Sequence, residues 1–210
     1  MRYILFFLIV LVSCGQEKKR DVFIKERLKE INDRYFDEKK TLNFSDKMIN
    51  HFPENIDHLP IKISTNIHLK NENKYKLLSL VEFNIENRKI DSLKLSFNEK
   101  HTIEKFTATD SSLKILTKKE ECGNYIPFFN STSLFDNPED VVKKEDVYSN
   151  LTKSGLSKDF EIYVLESGSL SPKETSQANM NEIGNSVKCF SKGICLNKTK
   201  KIIIYWIILW

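Results

Sequence analysis

The chain has 210 residues, 40% of them apolar and 30% charged, with 33 Lys and Arg against 29 Asp and Glu. That length supports one domain with a real core, and the balance is that of an ordinary globular chain. The small positive excess does not predict a nucleic-acid partner, because only five of the basic residues are Arg and the charges alternate in sign rather than form blocks.

In chain order, the first element reads as an address. Met1-Arg2 is a short basic start, and Ile4–Val12 is an apolar run of nine residues. As a helix that run would rise about 14 Å, against a bilayer hydrocarbon core of about 30 Å, so it cannot span and stay. It fits a secretory signal segment that is removed. Its end, Leu11-Val12-Ser13-Cys14, is an aliphatic residue, a medium one, a small one and a cysteine. This stretch resembles the lipobox of bacterial lipoproteins. The resemblance implies a diacylglycerol on the Cys14 thiol, cleavage before Cys14 and acylation of its amine. Gly15, standing where an Asp would hold such a protein at the inner membrane, implies the outer membrane. The expected organisation is a signal peptide over 1–13, a lipid-anchored tether over 14–20 and one globular domain over 21–210.

From Asp21, Ile24, Leu28, Ile31 and Tyr35 recur at helical spacing and predict an amphipathic helix. Phe44–Pro53 predicts a short helix capped by Ser45. Ile61, Ile63, Thr65, Ile67 and Leu69 alternate with polar residues and predict a half-buried strand. Lys76–Ile85 is rich in strand formers. Glu86–Lys100 fits helix through Ile90, Leu93 and Phe97, or strand through Leu93, Leu95 and Phe97; helix is the favoured reading. Thr102–Ala108 and Ser112–Lys118 read as short strands around a turn at Asp110. Residues 119–158 read as irregular, with a helix after Pro138. Phe160–Ser167, Val187–Asn197 and Lys200–Trp210 are three strands, the last two joined by a hairpin at Asn197–Lys200. Ser167–Asn185 reads as a polar loop. Ile202–Trp210 is apolar on both faces, which predicts a central strand covered on both sides. A membrane barrel is disfavoured because the other segments are too polar for a lipid-facing band. The expected fold class is therefore α+β: a mixed or antiparallel sheet, an N-terminal amphipathic helix packed on it, and a C-terminal buried strand. Asp159–Ser167 and Phe190–Trp210 resemble small lipoproteins of Gram-negative bacteria, a resemblance that implies no mechanism.

Motifs for catalysis are not apparent. The six glycines are never closer than nine residues, which excludes the dinucleotide fingerprint, the phosphate loop and the serine-hydrolase elbow. His51, His58, His68 and His101 show no metal-type spacing and read as surface residues, so neither metal nor cofactor is expected. Serines at Asp110-Ser111-Ser112 and Ser167-Gly168-Ser169 read as turn residues. Cys122, Cys189 and Cys195 allow one disulfide in an oxidising compartment. Cys189 can reach Cys195 only if Ser191–Gly193 turns the chain, and a bridge from Cys122 to either stays open. The expectation is a lipid-anchored cell-envelope protein, tied to the membrane through Cys14 and binding an envelope protein partner. A non-catalytic binding, inhibitor, immunity or assembly-accessory role leads, and an envelope hydrolase is the alternative.

Overall fold

The apolar run at the C-terminus forms the middle of the main sheet in the computed structural model. The structure describes residues 2–42, 44–59, 61–70, 73–116, 121–129, 152–171 and 188–210. In chain order the elements are α1 (Arg2–Leu42), α2 (Asp46–Ile49), β1 (Ile61–Lys70), β2 (Asn73–Glu82), α3 (Asn87–Asn98), β3 (Glu104–Thr107), β4 (Lys114–Ile115), β5 (Tyr125–Ile126), β6 (Glu161–Ser169), β7 (Cys189–Asn197) and β8 (Ile202–Leu209). Six strands form one antiparallel sheet in the order β1-β2-β8-β7-β6-β3, while β4 and β5 form a small parallel pair. This is the α+β class that the sequence predicts.

The period of two in the strands sorts the core into two layers. Leu78 and Leu80 of β2, Ile194 and Leu196 of β7, and Ile203, Tyr205 and Ile207 of β8 share one layer with Tyr35, Ile90 and Phe97 from α1 and α3. Leu77 and Val81, Cys195, and Ile204, Trp206 and Ile208 face the other way. There they meet Leu113, Leu116, Ile126, Phe129, Leu156 and Phe160 from β4, β5 and the connections. Every residue of β8 is buried, as a strand apolar on both faces requires. The helix at α3 resolves the ambiguity at Glu86–Lys100: Ile90 and Phe97 are buried, Leu93 packs against the same layer, and Leu95 is 64% exposed.

Residues 14–20, expected as a tether, continue α1 as helix, Gln16–Arg20 being helix formers. Two expectations need correcting. Ser167-Gly168-Ser169 is strand, not loop; the bulge between Val164 and Glu166 shifts the register and pairing then resumes, Ser169 opposite Cys189. Tyr125–Ile126 forms a strand inside a stretch expected to be irregular. The helix expected after Pro138 and most of the loop at Ser167–Asn185 lie outside the described residues. No helix among the described residues is long and apolar enough to cross a membrane.

Candidate functional site

β2 ends on a charge. Glu82 closes β2 directly after the apolar pair Leu80-Val81 and is fully buried on the helix-facing side of the sheet. A buried carboxylate needs partners, and two reach it. Tyr205 Oη donates to Oε2 across 3.1 Å, and Lys89 Nζ from α3 lies 2.9 Å from Oε2 and 3.2 Å from Oε1. Lys89 keeps 41% of its side chain exposed, so it covers Glu82 from the solvent side. Burial, then the Glu82 charge, push the Tyr205 phenol above its ordinary range.

The connection between α2 and β1 brings two more groups to this carboxylate. Its position is set by Asn32 of α1, whose Nδ2 donates to the Ile56 carbonyl at 2.8 Å while its Oδ1 accepts from the Ile56 amide at 2.8 Å. Tyr35 Oη donates to the Pro53 carbonyl at 2.7 Å. Asp57 and His58 follow directly. His58 Nδ1 lies 2.6 Å from Asp57 Oδ1, and His58 Nε2 is buried without a partner. That hydrogen bond is the main cause holding the Asp57 carboxyl below its ordinary range. Ligand atoms of Asp57, His58 and Glu82 all lie within 4.8 Å of one another. Nothing in the chain order joins this set, because Glu82 is far from the pair in sequence; the available signal was a carboxylate directly after Leu80-Val81 in a strand.

A second polar cluster pins the α2 turn to the sheet. Lys192, 4% exposed on β7, donates to the Lys47 carbonyl at 2.8 Å and to Asn50 Oδ1 at 3.2 Å, and pairs with Glu166 at 3.0 Å. Its three N–H donors are all used, so its charge serves the fold. His51, expected at the surface, is instead half-buried: its Nε2 donates to the Trp206 carbonyl at 3.0 Å, and its Nδ1 is shut away from solvent. Burial pushes the imidazole down to about 3 against the pull of the Trp206 carbonyl, with the Lys192 charge acting in the same direction as burial. The cavity beside Lys47, Met48, Glu166, Ser169 and Phe190 holds about 110 Å³, far below the roughly 300 Å³ of a small-molecule pocket.

At the far edge, Glu161 takes Lys94 at 2.6 Å, Tyr163 at 2.8 Å and Lys105 at 3.2 Å. Burial opposes its charge, and those three hydrogen bonds overcome it and hold the carboxyl at about 2. The cysteines separate into two fates. Cys122 and Cys189 are bonded, and Cys195 is a buried thiol that desolvation pushes well up. β7 runs straight through Ser191–Gly193, so Cys189 and Cys195 do not meet. Cys14 lies within the helical run of α1. Ser112 is a turn residue, its amide and hydroxyl both bound to Asp110 Oδ1. Ser167 bonds Asn124. No family model, curated protein or solved structure matches the chain.

Proposed function

We propose that this chain is a lipoprotein of the bacterial cell envelope, acylated on Cys14 and held at the outer membrane. Its α+β domain binds an envelope protein without catalysing a reaction, as an inhibitor, immunity or assembly-accessory lipoprotein does. The observation that carries this reading is Leu11-Val12-Ser13-Cys14 at the end of a nine-residue apolar run with a basic start. A bond between Cys122 and Cys189 supports export, since disulfides persist in oxidising compartments. Buried Lys192 and half-buried His51 tie the chain to itself, which favours a structural use for them over chemistry. An envelope hydrolase is the second reading, favoured by the Asp57–His58 pair beside Glu82.

Metabolic labelling with radioactive palmitate tests the anchor. The natural chain takes label and sediments with membranes; the Cys14→Ala chain takes none and leaves the membrane while staying folded. Label entering the Cys14→Ala protein would sink the anchor. Crosslinking in intact envelopes tests the partner, and an anchored chain that joins no envelope protein would sink the binding role.

A further inference from the structure

We infer that Asp57, His58 and Glu82 form a binding site for a divalent transition-metal ion of the zinc class, with Lys89 as the counter-ion that fills in for the metal when it is absent. The site stands apart from the lipid anchor.

The donor chemistry selects the ion. One imidazole nitrogen and two carboxylates are a mixed nitrogen–oxygen set, which suits zinc and its neighbours better than calcium or magnesium, whose ligands are all oxygen. Zinc holds such ligands at about 2.0–2.2 Å, so tetrahedral donors stand roughly 3.4 Å apart. The three ligand atoms already lie within 4.8 Å of one another, so closing on an ion takes a contraction of at most about 1.4 Å for the widest pair. The part that must move is the part free to do so. Glu82 is fixed in β2, whereas the Asp57 side chain is 80% exposed on the connection after α2. Asn32 holds Ile56 from both sides, so the contraction is confined to the two residues that follow it.

The electrostatics point the same way. Two carboxylates meet one ammonium, Lys89, which is bound across both oxygens of Glu82. A buried carboxylate demands a cation, and Lys89, 41% exposed, can swing to solvent when a better one arrives. Tyr205 keeps its bond to Oε2, which leaves Oε1 for the metal and orients the carboxylate. His58 contributes a ring that is only partly satisfied: Nδ1 meets Asp57 and Nε2 is buried with no partner. Three protein ligands leave a fourth position for water or for a donor from a bound partner.

The test uses the full chain with Cys14→Ala, which removes a thiol that would itself take zinc. Equilibrium dialysis against buffered zinc chloride, with a thermal melt in parallel, reads one bound ion and a rise in midpoint. Asp57→Asn and His58→Ala change partly exposed residues, so the fold survives, and each is expected to weaken binding at least tenfold. Lys89→Met removes the competing ammonium and is expected to tighten binding severalfold at neutral pH, an effect a purely structural lysine would not produce. Magnesium at the same concentration is expected to give no shift. The proposal falls if zinc does not bind, if Asp57→Asn and His58→Ala bind as the parent does, or if Lys89→Met weakens binding.

Discussion

At Gly193 the sheet has no room for a methyl group. A Cβ there would run into the Tyr163 carbonyl oxygen and would sit 2.5 Å from Trp206 Cζ2. The glycine lets the Trp206 indole lie flat over β7, so Gly193→Ala is expected to cost about 1–3 kcal/mol, read from the urea midpoint. His51 makes a second residue-scale prediction. Its folded value of about 3 lies below the ordinary 6.5, so the imidazole is neutral in both states above pH 6.5 and stability there is complete. As pH falls below 6.5 the unfolded chain takes up a proton that the folded one refuses, costing about 1.4 kcal/mol per unit until pH reaches about 3. Between pH 7 and pH 5 the natural chain should lose about 2 kcal/mol, and His51→Gln, which keeps an N–H for the Trp206 carbonyl, should lose much less. Glu161, held at about 2 against its ordinary 4.5, begins to matter only below pH 4.5, so it does not blur that comparison. An equal loss in both proteins would refute the buried-imidazole account. Sequence placed His51 at the surface because a lone histidine in a polar stretch carries no sign of what will fold over it.

At the scale of elements, periodicity was legible wherever one face of an element meets the core. Leu28, Ile31 and Tyr35 do share the inward side of α1, with Ile24 half-buried a turn before them, and Ile90, Leu93 and Phe97 do share that of α3. β8 announced its central place through a lack of polar positions. The two-residue strands β4 and β5 were illegible as a pair, since so short a segment has no period; they exist because Ile115 and Ile126 cover the second face of the sheet. The Asp57–His58–Glu82 set was illegible for a related reason: it is made by the end of β2 and the connection before β1, which Asn32 fastens to α1. That joint is testable. Asn32→Ala leaves both backbone groups of Ile56 without their partner, and a loss of about 2 kcal/mol is expected. Truncation after Tyr205 tests β8. Trp206 is fully buried and Trp210 is 4% exposed; each buries about 200 Å², worth roughly 5 kcal/mol as an upper bound. Typical total stability is about 5–15 kcal/mol, so the shortened chain should show no cooperative melt. A melt near that of the full chain would mean the strand is not core.

For the whole molecule, the question is what holds the second layer to the sheet. The helix side is fastened by a broad apolar layer and by the Asn32, His51 and Lys192 hydrogen bonds. The opposite side has no helix among the described residues and is built from β4, β5 and connections, including the turn at Gly155, where a φ of +81 and the Phe129 carbonyl leave no space for a side chain. Across this side runs the Cys122–Cys189 bond, joining the approach to β5 with the first residue of β7 and closing a sequence separation of 67. A loop of that size removes about 4 kcal/mol of unfolded-state freedom in the chain-entropy model, comparable to much of a domain's net stability. Composition showed that a bridge could form, but three thiols left the pairing open; the pairing follows from which strands end side by side. Replacing both Cys122 and Cys189 by Ser is expected to lower stability by about 2–4 kcal/mol and to leave the helix-side layer the more protected half in hydrogen exchange. The same loss should follow treatment of the natural chain with reductant, with no further loss in the double variant, because Cys195 is a buried thiol with no bonded partner. If reductant leaves the melt unchanged, the bridge does not fasten the second layer, and the weight falls on Trp206 and its apolar neighbours alone.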